Sequence, residues 1–253
     1  MRTVAIHGGR RALWPATMLL LFLTNVLLAQ DALDLGHMAE RYWAERADIA
    51  QAKKAADLYE RILAEDPENV EAHWKLSRIY FWVGRHGPSS RRKNHFEKGI
   101  ALAKQAVVLR PQAAGGRFWL GVNSGALAEV LGLWPWVLPR RLSLVGDFRR
   151  EMHTVIRLDP AFEGGGAYRA LGVYYLEKPF PDPREAEKFL LEAVDVAPAL
   201  LCNHFYLAVA YARQGKVNFA HQRRLQVLEA PLAADYVPED MQCQEDARIL
   251  RIS

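Results

Sequence analysis

The chain has 253 residues, 51% of them hydrophobic and 25% charged, a balance that fits one globular domain or one short solenoid and excludes a disordered chain. A pI near 9.1 suggests a polyanion partner, but Arg2, Arg10 and Arg11 carry the excess in a stretch without acidic residues. With those three set aside from 33 basic side chains, residues 31–253 hold 30 against 29 acidic ones, so no nucleic-acid partner is expected; Arg91, Arg92 and Lys93 read as a solvated run.

In chain order, the first element is the apolar run from Leu13 to Ala29, preceded by arginines and followed by Asp31 and Asp34. This is the layout of an export segment with its N-terminus held inside. Pro15, Thr17, Thr24 and Asn25 make it marginal as a bilayer span. Residues 1–30 are therefore expected to be a signal peptide cut after Ala29. The other reading, prompted by Leu27 where a small residue is preferred, is an uncleaved membrane anchor. Either way residues 31–253 are expected to face the periplasm and to touch the membrane only through this segment.

From Leu33 onward, apolar periodicity of helical length recurs, broken by Gly and Pro and not by strand-like alternation. Four helix ends precede a proline: Glu65-Asp66-Pro67, Leu109-Arg110-Pro111, Leu158-Asp159-Pro160 and Val196-Ala197-Pro198. The prolines are 44, 49 and 38 residues apart, against about 34 for an uninterrupted tetratricopeptide (TPR) array. After each proline a large residue is followed by a small one: Leu76-Ser77 with Tyr80, Leu120-Gly121, Leu171-Gly172 with Tyr175, and Leu207-Ala208 with Tyr211. Close helix approach needs that pairing. The expected fold is all-α, an irregular TPR-like helical-hairpin solenoid of about four to five helix pairs over residues 31–253. Gly84 and Gly215 are expected at left-handed turns between paired helices.

Two insertions interrupt the repeats. Residues 86–95 are basic and polar, as a solvated loop would be. Trp134 and Trp136, in an apolar segment running to Pro139, either cap the core or present a patch to a partner or bilayer surface, with burial the preferred expectation. In a TPR superhelix the first helix of each pair lines the concave face. That places Trp74, Phe118, Arg169 and Phe205 toward a groove, with Arg78 and Phe81 further along. This mostly apolar lining lacks the Lys, Arg and Asn set of a peptide-carboxylate clamp. It suits a small apolar or organic-acid ligand whose acidic head pairs with Arg78 or Arg169. The alternative is a groove filled as core.

Three glycines follow Glu163 ahead of a helix. They either expose backbone N–H groups to an anion or give a wide turn passing close to a neighbouring helix. The eight histidines form no metal-ligand spacing, and no serine sits in a nucleophile elbow; no cofactor, metal or catalysis is expected. His73 and His204 hold equivalent repeat positions, as packing residues would. Cys202 and Cys243 could pair in an exported protein, but their sequence separation says nothing about geometry, and two separate buried thiols are the preferred expectation.

Several segments carry a more specific likeness. Residues 117–121 (RFWLG), 152–160 (MHTVIRLDP) and 162–179 (FEGGGAYRALGVYYLEKP), with the helix Ala186 to Ala193 and Pro238-Glu-Asp240, resemble the exported TPR proteins of the TRAP transporter T-component (TatT) family. The resemblance implies a periplasmic helical protein with a ligand-accommodating cavity that works with a transporter's substrate-binding protein. Trp119, Gly165, Tyr168 and Arg169 are then the residues to test. The chain departs from many members in lacking a lipid-bearing cysteine. A protein-interaction scaffold, docking a helix or peptide of an envelope partner, is the alternative function.

Overall fold

A computed structural model describes residues 33–132 and 138–252. The expected export segment and the two tryptophans of the apolar insertion, Trp134 and Trp136, lie outside the described residues.

The described residues form helices and no strand. Helix α1 (residues 33–44) pairs with α2 (Ile49–Glu65), α3 (Val70–His86) with α4 (Arg92–Leu109), and α5 (Ala114–Val130) with α6 (Leu138–Leu158). Helix α7 (Phe162–Glu177) pairs with α8 (Pro183–Val196), and α9 (Leu201–Arg213) with α10 (Val217–Glu229); α11 (Val237–Ile249) closes the array. Five hairpins and one terminal helix therefore make up the TPR-like solenoid. None of these helices is long and apolar enough to cross a membrane.

The prolines stop the second helix of the pairs by a shared device. A residue ahead of proline is pushed out of the helical region, and Asp66, Arg110 and Ala197 accordingly turn extended, at φ −129, −143 and −138°. Starts are capped where the sequence offers an acceptor: Asn69 takes the Ala72 N–H at 2.9 Å and Asp182 the Glu185 N–H at 3.1 Å. His73 and His204 tie the turn to the next helix identically. Each donates from Nε2 to the carbonyl six residues back, Pro67 at 2.9 Å and Pro198 at 2.8 Å.

Small residues let the hairpins close. Ala52, Ala55, Ala103, Ala186, Ala193 and Ala220 have no exposed surface, and Gly172 sits so near Leu190 that a Cβ would lie 2.5 Å from its Cγ. Around them Leu171, Leu190 and Leu207 are fully buried, each contributing about 1.5–3 kcal/mol. A polar bridge joins successive hairpins: Asn123 Nδ2 of α5 donates to Ser77 Oγ of α3 at 3.1 Å and to its own helix's Trp119 carbonyl at 2.9 Å, while buried Ser77 donates to the Gly99 carbonyl within its hairpin at 2.8 Å.

Three expectations need correction. Gly84 lies inside α3, where the ring of Phe96 leaves no room for a Cβ (2.6 Å to Cε1); close approach, not a turn, requires glycine there. Gly215 does take the left-handed conformation, φ 70°. The basic insertion is shorter than 86–95, because a single 3-10 turn (Ser89–Arg91) leads directly into α4. Finally, Cys202 and Cys243 are bonded to each other, with their Cα atoms 5.4 Å apart. The sequence separation of 41 hid a pairing that arises because α11 folds back onto α9.

Candidate functional site

The first helices of the pairs line a concave face, and α11 with its lead-in segment forms the opposing wall. Between them lies a cavity of about 1580 Å³. Its apolar surface comes from Trp43, Phe81, Phe118, Trp119, Val122 and Phe148, contributed by α1, α3, α5 and α6. The aromatic side chains brace one another: Phe81 and Trp119 have ring centroids 5.7 Å apart, and Phe118 and Trp119 meet edge-on at 5.0 Å.

The closure is anchored at Arg46, just past α1. Its guanidinium lies 4.7 Å above the Trp43 ring and 5.5 Å from Trp82. It donates to Glu239 Oε1 of α11 at 3.0 Å and to the Asp235 carbonyl at 2.9 Å. Only 3% of its side chain is exposed, so a charge buried between two indoles is spent on holding α11 to the segment after α1. From the other side the disulfide fixes α11 to α9. Asp240 adds a third clamp by accepting the Leu201 N–H at 3.0 Å and the Ala233 N–H at 2.9 Å. Burial raises the Asp240 carboxyl above its ordinary range, while those backbone donors work against the rise. The buried stripe of α11 is narrow, Asp240, Cys243 and Ala247, which is why it needs covalent and ionic attachment.

The turn into α7 is unusual. Glu163, Gly164 and Gly165 all lie in the left-handed region, at φ 51, 59 and 71°. A Cβ on Gly165 would stand 3.2 Å from the Ala193 carbonyl oxygen. Asn203 seals this turn, donating to the Ala193 carbonyl at 2.8 Å and to the Gly164 and Ala197 carbonyls at 3.2 Å each. Arg169 donates to Asn203 Oδ1 at 2.8 Å and to the Gly164 carbonyl at 3.2 Å. Of the two sequence readings of this segment, the wide turn packed on its neighbours describes it. The strained residue, Glu163, projects into the cavity wall with Tyr236 donating to it at 3.3 Å. Burial pushes its carboxyl above the usual range, against the opposing pull of Arg78 and Arg169.

Of the sequence-predicted residues, Arg78, Phe81, Phe118, Trp119 and Arg169 come together on the cavity wall. Arg78 is engaged there, donating to Glu40 at 2.8 Å and lying 4.2 Å over Trp43. Burial raises the Glu40 carboxyl, but Arg78, the Tyr59 hydroxyl and Lys75 outweigh it and hold it below its ordinary value. Trp74, Gly165, Tyr168 and Phe205 are not on that wall. Trp74 instead packs edge-on against Phe162, and Phe205 packs beside the disulfide. Sequence reasoning missed Glu40, Trp43, Arg46, Glu163, Tyr236 and Glu239, all of which line the cavity. No repeat-based rule reaches α11 or the end of α1. Among the described residues no group of three His, Cys, Asp or Glu side chains is placed to hold a metal.

The family model for regulator of microtubule dynamics protein 1-3 matches residues 40–177, more than half of the chain. No curated protein matches it. Among solved structures, a thermophilic TPR protein of Thermus thermophilus is similar at TM-score 0.66 and 18% identity, covering 87% of this chain and 100% of that one. The MamA protein is similar at TM-score 0.48 and 15% identity over 89% of this chain and 100% of its own. An O-GlcNAc transferase of Thermobaculum terrenum is similar at 0.47 and 21%, covering 66% of this chain and 26% of that one. The Thermus likeness shows the TPR fold and nothing finer.

Proposed function

The chain belongs to the regulator of microtubule dynamics protein 1-3 family, and on that footing we propose that it is a non-enzymatic TPR-type binding protein whose concave cavity accommodates a small apolar or organic-acid ligand. One observation carries this reading: the concave face is covered by α11 without being filled by it, leaving about 1580 Å³ whose wall includes Trp43, Phe81, Phe118, Trp119 and Phe148. Ligand cavities commonly measure roughly 300–1,000 Å³, so a ligand with a long or bulky apolar body fits. Arg78 and Arg169 supply polar anchors at the wall.

Export is part of the proposal. The apolar segment from Leu13 to Ala29 supports it, as does the bond between Cys202 and Cys243, since disulfides belong to oxidising compartments. Transfer of the ligand to a transporter's binding protein, as the TRAP T-component resemblance implies, is its finest form. A thermal-shift and native mass-spectrometry screen of fatty and organic acids tests the core. A saturable one-to-one adduct weakened by Arg169→Ala is expected; a screen in which no apolar compound is retained overturns it.

The second reading is a scaffold that docks a helix or peptide. The family's name, regulation of microtubule dynamics, favours a protein partner. Crosslinked pull-down from membranes separates the two: a stoichiometric protein partner lost on Trp136→Ala supports the scaffold and makes the small ligand secondary.

A further inference from the structure

The charged side chains on the cavity wall do not all pair. Among them are the guanidinium groups of Arg46, Arg78 and Arg169 and the carboxyls of Glu40, Glu163 and Glu239. Arg46 is committed to Glu239 and Arg78 to Glu40. The remaining two are neighbours, yet among the described residues neither makes an ion pair. Arg169 is turned to neutral acceptors, Asn203 Oδ1 and the carbonyls of Gly164 and Glu163. The Glu163 carboxyl receives only the Tyr236 hydroxyl. A guanidinium and a carboxyl, each without an ion-pair partner on a cavity wall, is a costly arrangement unless one is neutral or a ligand completes it.

Resting on the ligand-binding reading above, we propose that the cavity wall at Arg169 and Glu163 seats the single carboxylate of an apolar monoacid, held by Arg169 and accepting a hydrogen bond from Glu163 in its protonated form. Arg169 is the guanidinium left without a carboxylate partner beside Glu163, which suits one anionic group. The side chain that can gain the proton is Glu163, and the left-handed backbone at φ 51° directs it to the cavity wall, a strain of the kind that recurs at ligand clamps. Arg78 from α3, Arg169 from α7, Tyr236 ahead of α11 and Glu239 on α11 are the charged and titratable groups facing it, and burial raises its carboxyl above the ordinary range against the pull of the two arginines. The apolar walls then take the chain of the acid.

The test is calorimetric titration of the full chain with decanoate and with 1-decanol between pH 6 and 8, in buffers of different ionisation enthalpy. Decanoate should bind at least about tenfold tighter than the alcohol at pH 6. It should take up close to one proton and weaken as pH rises, by up to about tenfold per unit. Glu163→Gln, a permanently neutral donor, should abolish the proton uptake and the pH dependence while keeping the preference for decanoate. The wild-type proton count needs no variant, so a poorly folding Glu163→Gln leaves the proposal falsifiable. Equal binding of acid and alcohol overturns the carboxylate seat but leaves the cavity reading standing. Tight decanoate binding without proton uptake overturns the role of Glu163. Failure of both probes to bind overturns the cavity reading itself, and the seat with it.

Discussion

Replacing Gly165 by alanine should destabilise the protein although the residue is small and the change adds one methyl. At φ 71° an L-residue loses roughly 1–2 kcal/mol relative to its preferred conformations. The new Cβ would also lie 3.2 Å from the Ala193 carbonyl oxygen and 3.3 Å from its Cα, main-chain atoms that can yield only if α8 moves. Against this, alanine restricts the unfolded chain, which returns about 0.4–1 kcal/mol. The backbone conformation and the contact together leave a net loss of about 1–2 kcal/mol. Gly146, exposed on α6 with nothing within 4 Å of where a methyl would stand, is the internal control; alanine there should gain about 0.5–1 kcal/mol. In a chain of this size the two variants should melt about 4–8 °C apart, and urea midpoints should give the same order. A Gly165→Ala protein as stable as Gly146→Ala would refute the claim that a left-handed turn, locked by Asn203, sets the position of Glu163 and Arg169.

Glu163→Gln should raise stability at pH 8. The native carboxyl titrates above its unfolded value, so its contribution is fully present below about pH 4.3 and lost as pH rises through the native pKa; the advantage of glutamine should shrink on acidification, and a constant difference across pH would contradict this. Reducing the Cys202–Cys243 bond opens a loop with a sequence separation of 41, worth about 4 kcal/mol in the chain-entropy treatment; an unchanged denaturant midpoint with and without dithiol would show that α11 is held by other contacts. Gly172→Ala drives a Cβ to 2.5 Å from the branched Leu190 Cγ, whereas Gly121→Ala meets the mobile terminal methyl of Met152 at the same distance. The first should lose about 1–2 kcal/mol through overpacking and the second much less, a ranking that equilibrium unfolding checks directly.

The repeat architecture was legible because it is written locally. Proline after each second helix, a small residue after each buried leucine and histidines in matched positions each act within a turn or two of the chain, and the helix ends at Asp66, Arg110 and Ala197 follow from them. The cavity was half legible. Arg78, Phe81, Phe118 and Arg169 follow from repeat position and Trp119 from the family resemblance, but Trp74 packs against Phe162 and Phe205 beside the disulfide. What could not be read is the closure. Arg46 meets Glu239 across 193 positions in sequence, Cys202 meets Cys243 only once α11 has folded back, and Glu163 faces the cavity through a backbone conformation that L-residues seldom adopt. The glycines after Glu163 signalled an irregular turn without indicating where its neighbour's carboxyl would point.

The central claim, that the concave face encloses a ligand cavity, is tested most directly by filling it. Val122 lies on the wall, so Val122→Trp should occupy part of the space. Native mass spectrometry of the full chain with decanoate should show a saturable one-to-one complex for the wild type and its loss in a folded Val122→Trp variant. Retention of the same complex by that variant, with unchanged affinity, would contradict the account.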